Sequence, residues 1–538
     1  MPRTGAQVLV EGLEAAGVEV VFGLPGVHNL AAWEALRDSP IRLVGVRHEQ
    51  AAVYAADGYA RASGRLGVAL VTTGPGAANT LGACGEAWAS RSPVLVIATD
   101  IPTGLRMRGV HRGVLHECSD QPGMFAPVTK ARFTPSTFAE LALAALAAPE
   151  AALAAPARPV YLEIPTDLLR ASGDEPAMSP AMTTPARADV EPALDLLAGA
   201  RRPLVWAGGG AVAAGASEAV AAVADRLGAP ILTTWSAGGI GGGHPLRVGL
   251  PPHVSEVGAL WDEADLVLSV GSDLDGTMTQ NWRMPAPPHL IAINVDEADA
   301  AKNYVPDVIV CGDARQACEA LALELSGARD PWVDVAEVRA RARDALRVSF
   351  AAEMRFLEAF ASAVPDETVV LCDMCIPGYW LGAFHPFPAP RRLAYPLGWG
   401  TLGCAFPQSL GASLAGGGPV VSVSGDGGFL FACGELATVA QERLPVTTVS
   451  VDDGGYGMLR YDQRRSGAVS YGVDLHTPDF AALAESFGVR AETVDGLDDA
   501  FAAALAGQLR DPEPSVLVAR AALEPPPTTS PRWYRPAA

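Results

Sequence analysis

Two apolar runs in this chain end on acid and glycine. PVVSVS stops at Gly425-Asp426-Gly427-Gly428, and PVTTVSV stops at Asp452-Asp453-Gly454-Gly455-Tyr456-Gly457. Asp426 and Asp453 are 27 residues apart, about one strand–helix–strand repeat. Neighbouring parallel strands would set both loops at one carboxyl edge, where open α/β sheets bind ligands. Two carboxylates there suit a hard cation, and Mg²⁺ is commonly held by one or two carboxylates plus phosphate oxygens. The glycines let backbone N–H and C=O groups approach a phosphate with no Cβ in the way. A lone Gly-Asp-Gly reads as a turn; repetition of acid plus glycine at this spacing points to a metal–phosphate site.

Other chemistry-bearing residues are less specific. Glu49, in VGVRHEQAAVYAADGYAR, reads by itself as a helix-surface acid. His28 and His116 could each shuttle protons near neutral pH or be structural. Cys372 and Cys375 have C-x-x-C spacing, but no second Cys or His pair completes a zinc set. The central VWAGGGAVAAG, with Asp225 downstream, is either a dinucleotide fingerprint or a degenerate Rossmann-like turn.

The elements that must hold these residues are readable as three α/β blocks. Short apolar runs such as GVALVTT and SPVLVIAT predict buried parallel strands in a first block, residues 1–170. ASGDEPAMSPAMTTPARADVEP reads as a linker. A second block, 190–325, predicts strands at RPLVWAG, APILTT, ADLVLSVG and HLIAINV. A helical stretch near 330–349 leads to a third, 350–525, with strands at TVVLCD, PVVSVSGD, PVTTVSVDD and PSVLVAR. Residues 526–538 form a Pro-rich tail in which Trp533 and Tyr534 could pin a surface. The fold class expected is α/β, with three consecutive open parallel sheets.

The 538 residues suit about three domains. With 49% of residues apolar and 18% charged, each can bury a large core. A net charge of −21 argues against nucleic acid as a partner and reads as a solvated acidic surface. No basic segment followed by an apolar run opens the chain, and no apolar stretch is long enough to span a bilayer, so a cytoplasmic protein with no membrane partner is expected. Eight scattered cysteines then read as reduced thiols.

GDGGF followed by DDGGYG resembles the cofactor signature of thiamine-diphosphate enzymes of the acetolactate synthase, pyruvate decarboxylase and benzoylformate decarboxylase group. RHEQAA, ADGYAR and TTGPGAAN resemble its pyrimidine-binding domain, and YPLGWGTLGCAFPQSLGAS the segment that bends the cofactor into a V. The resemblance covers essentially the whole chain. It implies thiamine diphosphate and Mg²⁺, with Asp426, Asp453 and the Gly455 carbonyl as metal ligands and Gly425, Gly427, Gly428, Tyr456, Gly457 and Met458 around the diphosphate. It implies Leu402 as the apolar wedge, with the Gly400 carbonyl and the Leu402 N–H on the aminopyrimidine. Glu49 would hydrogen-bond a pyrimidine nitrogen and favour the tautomer that removes the thiazolium proton. In the family Glu and diphosphate site come from different subunits, which implies a homodimer or homotetramer with active sites at the interface.

Against the family pattern, Val27 stands where pyruvate decarboxylases carry Asp and benzoylformate decarboxylases Ser. Thr72 replaces a pocket His, and Met458 and Leu459 follow the loop where pyruvate decarboxylases carry Glu. These substitutions favour a carboligase of acetolactate synthase type, joining a 2-oxo acid donor to a carbonyl acceptor. A non-ligating 2-oxo acid decarboxylase or C–C hydrolase is the alternative, and an inactive cofactor-binding subunit a remote one. The arginine-bearing GARFDDR stretch of acetolactate synthases reads Gly271-Ser272-Asp273-Leu274-Asp275-Gly276-Thr277, with Arg283 the available stand-in. Ile376-Pro377 replaces their Gln-His pair. Loss of the arginines disfavours FAD, although the glycine pattern permits it.

Overall fold

The computed structural model describes residues 3–107, 109–173 and 188–528. Most of the linker, and Trp533 and Tyr534 of the tail, lie outside the described residues. Each apolar run named above forms a strand. The first sheet contains β1 (Val20–Gly23), β2 (Arg42–Gly45), β3 (Gly67–Val71), β4 (Val94–Asp100), β5 (Ala131–Phe133) and β6 (Val160–Pro165), in the order β2-β1-β3-β4-β6-β5. The second contains β7 (Pro203–Ala207), β8 (Ile231–Thr233), β9 (Leu266–Val270), β10 (Leu290–Asn294) and β11 (Val308–Cys311), ordered β8-β7-β9-β10-β11. The third contains β12 (Val369–Cys372), β13 (Leu393–Ala394), β14 (Val420–Gly425), β15 (Val446–Asp452), β16 (Arg490–Asp495) and β17 (Ser515–Arg520), ordered β13-β12-β14-β15-β17-β16. All pairings in the three sheets are parallel. The expected fold class is therefore the observed one.

Central strands such as β3, β4 and β15 are buried almost throughout, because helices cover both sheet faces. Among the strands that the runs named above do not mark, β5, β11, β13 and β16 are sheet edges. They are half in solvent, so their apolar signal is diluted.

Four helices matter for the site: α1 (Glu49–Ser63), α2 (Ile376–Phe384), α3 (Ala405–Ala412) and α4 (Gly457–Ser466). Helices α1 and α3 join the first and third sheets at close range. A Cβ on Gly58 would strike the backbone of Gln408, and one on Gly411 the carbonyl of Ala55. Gln408 Nε2 donates to buried Asp57 at 2.7 Å across this seam. The first and second sheets are tied by Arg91, which bridges Asp273 at 2.9 Å and Asp299 at 2.6 Å.

Candidate active site

Strands β14 and β15 pair in register, with Gly425 opposite Val451. Their loops open side by side onto a cavity of about 230 Å³. Asp426, Asp453, Gly455 and Leu402 all line it, with Gly425, Gly427, Gly428, Tyr456, Gly457, Met458 and Leu459. Burial pushes the Asp426 carboxyl up to about 7, and nearby Asp453 and Asp452 add to the rise. Its Oδ1 accepts the Gly427 N–H at 2.7 Å, while the buried Oδ2 has no partner. Asp453 is also raised by burial, with Arg460 pulling it back. Clustered, desolvated carboxylates with an orphaned oxygen are what a divalent cation would neutralise. Among the described residues no set of three His, Cys, Asp or Glu side chains converges. A cation here would thus complete its shell from backbone carbonyls and a phosphate-bearing ligand, and the residues present fit Mg²⁺ and a diphosphate.

Several residues that shape this cavity escape sequence reasoning. Asp373, fully buried at the end of β12, accepts the Gly403 N–H at 2.8 and 2.9 Å and fixes the turn after Leu402. Buried Glu86, from the first sheet's layer, accepts from Thr401 Oγ1 at 3.0 Å just before Leu402. Arg460 donates to the Asp453 carbonyl at 3.1 Å and to Asp474 at 3.0 Å. Asp373 carries the one usable signal, an acid that ends an apolar run as Asp426 does. Glu86 and Arg460 have none, because their partners are distant in sequence or local in a generic helix. Gly400, with φ +75°, does not line the cavity, although its neighbour Leu402 does.

A second group of expected residues gathers at the carboxyl edge of the first sheet. Glu49 opens α1 and accepts from Asn79 Nδ2 at 3.0 Å. Thr72 lies against Gly26 and Gly76, and Glu49 Oε1 would meet a Cβ on Gly76 at 3.4 Å. The rings of His28 and His116 meet edge to face at 5.3 Å, and the Nδ1 of each is buried without a partner. Burial lowers the His28 pKa, His116 lowers it further and Asp100 opposes both. His116 sits at φ +66°, a strained conformation for a non-glycine residue. Val27 is 59% exposed. Beneath them Gln121 ties the Gly74 N–H (2.6 Å) to Glu163 (2.8 Å), whose carboxyl burial pushes up to about 7.

Within one chain these two groups do not meet: every residue lining the cavity lies between Met374 and Leu523. The third sheet's layer does reach Glu49's approach. Glu435 accepts the N–H groups of Arg47 (2.9 Å) and His48 (3.1 Å), immediately before α1.

The glycine pattern of the central sheet forms a closed turn. At its switch point, between β7 and β9, the Gly210 N–H donates to the Gly271 carbonyl at 2.8 Å, and a Cβ on Gly208 would strike the same loop. Asp225 lies on a helix beside His244 at 3.3 Å, away from a strand end. Asp273, in the lost arginine stretch, is neutralised by Arg91 and Lys302, and the proposed stand-in Arg283 is exposed. Cys372 and Cys375 are buried free thiols, both pushed up by burial.

Three family domains match in order: the N-terminal TPP-binding domain of thiamine pyrophosphate enzymes over residues 3–124, their central domain over 190–321 and their C-terminal TPP-binding domain over 375–519. The chain belongs to the thiamine pyrophosphate enzymes. It is 37% identical over 515 residues to a probable 2-ketoarginine decarboxylase of Pseudomonas aeruginosa, covering 92% of this chain and 90% of that one. It is 31% identical to a probable acetolactate synthase large subunit of Methanocaldococcus jannaschii, covering 92% and 88%. It is 30% identical to the acetolactate synthase isozyme 3 large subunit of Escherichia coli K12, covering 90% and 88%. The protein is thus a thiamine-diphosphate-dependent enzyme, a transferase or lyase, of a family that acts on 2-oxo acids. No helix among the described residues is long and apolar enough to cross a membrane.

Proposed function

We propose that this enzyme decarboxylates a 2-oxo acid and returns a proton to the reacting carbon from its histidine pair, with Mg²⁺ anchoring the cofactor. When bound, thiamine diphosphate supplies the carbon nucleophile and the electron sink. Asp426, Asp453 and the Gly455 carbonyl hold the metal, and the glycine edges with Tyr456 and Met458 seat the diphosphate. Leu402, on the cavity wall, would support the cofactor, and the Gly400 carbonyl and the Leu402 N–H would bind its pyrimidine. Glu49 would hydrogen-bond a pyrimidine nitrogen of the cofactor and favour the tautomer that activates it. Since the cavity takes no residue from the first sheet, a second copy of the chain supplies Glu49, and the working unit is a homodimer or homotetramer. Eight free cysteines support a reducing, cytoplasmic location.

The observation that carries the decarboxylase reading is the His28–His116 contact, with both Nδ1 atoms unpartnered beside the Thr72–Glu49 face. Burial lowers the His28 pKa from its ordinary value, and a histidine can take a proton from solvent and pass it on. The 2-ketoarginine decarboxylase relative supports the same reading and adds a guanidinium-bearing 2-oxo acid to those worth testing. The second reading is ligation to a carbonyl acceptor. It is supported by the apolar wall of Leu402, Ile376, Met458 and Leu459, which would shield the reacting carbon from protons, and by the acetolactate synthase relatives.

Incubation with thiamine diphosphate, Mg²⁺ and a panel of 2-oxo acids, followed by separation of aldehydes from acyloins, tests the choice. Aldehyde in excess is expected. Acyloin in excess transfers the assignment to the ligase, and neither product from any acid overturns the substrate class.

A further inference from the structure

Apart from the cofactor cavity, a smaller cavity of about 20 Å³ lies between the second and third sheets. Thr233, Thr234 and Trp235 at the end of β8 line one side, and Gly382, His385 and Phe387 at the end of α2 line the other. Arg247 closes it and is only 9% exposed. A buried guanidinium normally has a carboxylate partner, because desolvating an unpaired charge is expensive. Among the described residues Arg247 has none: it donates to the Phe387 carbonyl at 2.7 Å, and its Nε has no partner. The charge acting on it is a second cation, Arg339, whose Nε is likewise buried and unpartnered. Thr234 Oγ1, Trp235 Nε1 and His385 Nδ1 add three more buried polar atoms without partners among residues lining the same cavity. Burial lowers His385 to about 4, so it is neutral and remains able to donate one N–H.

We propose that this cavity binds a small monovalent anion of halide size, held by Arg247 with Thr234, Trp235 and His385. The set is rich in donors, carries positive charge and has no acid facing it. Its volume exceeds what one water needs, roughly 10–15 Å³, but leaves no room for a phosphate or a nucleotide. The site and the cofactor cavity share α2, which carries Ile376, Pro377 and Tyr379 in one cavity and Gly382 in the other. Trp235 packs on Tyr395 at 4.7 Å, and the Tyr395 hydroxyl reaches Met374 Sδ, on the cofactor cavity wall, at 3.3 Å. An anion at Arg247 therefore fixes the wall against which the cofactor is seated.

Melting of the full chain in sodium chloride and in sodium gluconate at equal ionic strength tests this. A saturable rise in Tm of about 2 °C or more is expected in chloride, with no saturable rise in phosphate that depends on Arg247. Arg247→Met removes the unpaired charge. It should raise Tm in gluconate relative to wild type and abolish the chloride response. Thr234→Val, a milder change, should shift the chloride midpoint several-fold upward. In crystals soaked with bromide, anomalous scattering should mark the cavity. A chloride response that survives Arg247→Met, no chloride response in wild type, or a cavity without bromide would each overturn the proposal. A saturable phosphate response that is lost in Arg247→Met would overturn the halide size.

Discussion

Glu49 has one side-chain partner, Asn79 Nδ2 at 3.0 Å, and stands at the first position of α1. Glutamine there keeps the acceptor and loses the acid. Glu49→Gln should lower turnover by about 100-fold or more while leaving Tm unchanged; turnover near wild type would remove Glu49 from the chemistry. Asp373 behaves in the opposite sense, as a structural acid. Burial pushes its carboxyl up to about 6, against N–H bonds from Met374 and Gly403 that lower it. An acid whose pKa rises on folding binds its proton more tightly in the folded state. Its contribution to stability is therefore fully present below about pH 4 and declines by roughly 3 kcal/mol as pH climbs to about 6, then levels off. Urea midpoints of the cofactor-free protein at pH 4.5 and 7 should show that decline in wild type and a flatter profile in Asp373→Asn. Equal slopes in the two proteins would remove Asp373 as the cause.

At the scale of elements, the α1–α3 seam does two jobs. It joins two sheets, and its flanks carry Glu49 at one end and the Leu402 turn just before α3. Small residues permit the approach: Gly411 faces the Ala55 carbonyl with no space for a Cβ. Gly411→Ala must spread the helices, and a loss of about 1–3 kcal/mol is expected from overpacking, read as a lower denaturant midpoint. Since Glu86 pins Thr401 beside Leu402 from across the same seam, cofactor affinity should weaken in that variant as well. An unchanged midpoint would show that the seam yields without cost.

At the scale of the whole molecule, one chain holds a cofactor cavity and a Glu49 face that do not meet in it. If a second copy joins them, Glu49→Gln and Asp426→Asn chains should complement. Each variant alone is expected to be inactive. In a mixed dimer one site receives both defects and the other neither, so an equilibrated equal mixture should recover about a quarter of wild-type activity. No recovery after mixing, with mixed dimers shown to form, would place both groups in one chain's site.

Apolar runs and glycine punctuation marked the central strands, their parallel class and the acid-plus-glycine clusters, because they are local signals that burial on both faces amplifies. The sequence placed Asp426 and Asp453 at neighbouring strand ends, and β14 and β15 do pair there. Edge strands such as β16 were not legible, because half-exposed residues carry no periodic contrast, whereas β8, an edge that is mostly buried, was. Tertiary structure alone decided which polar groups lost water together. Asp373 against Gly403, Glu86 against Thr401 and Glu435 against Arg47 are contacts across tens to hundreds of residues. The same holds for the unpaired Arg247, whose sequence neighbourhood gives no hint that it is buried among donors and another cation. Desolvation depends on what packs around a group, and that is set by chain segments far from it in sequence.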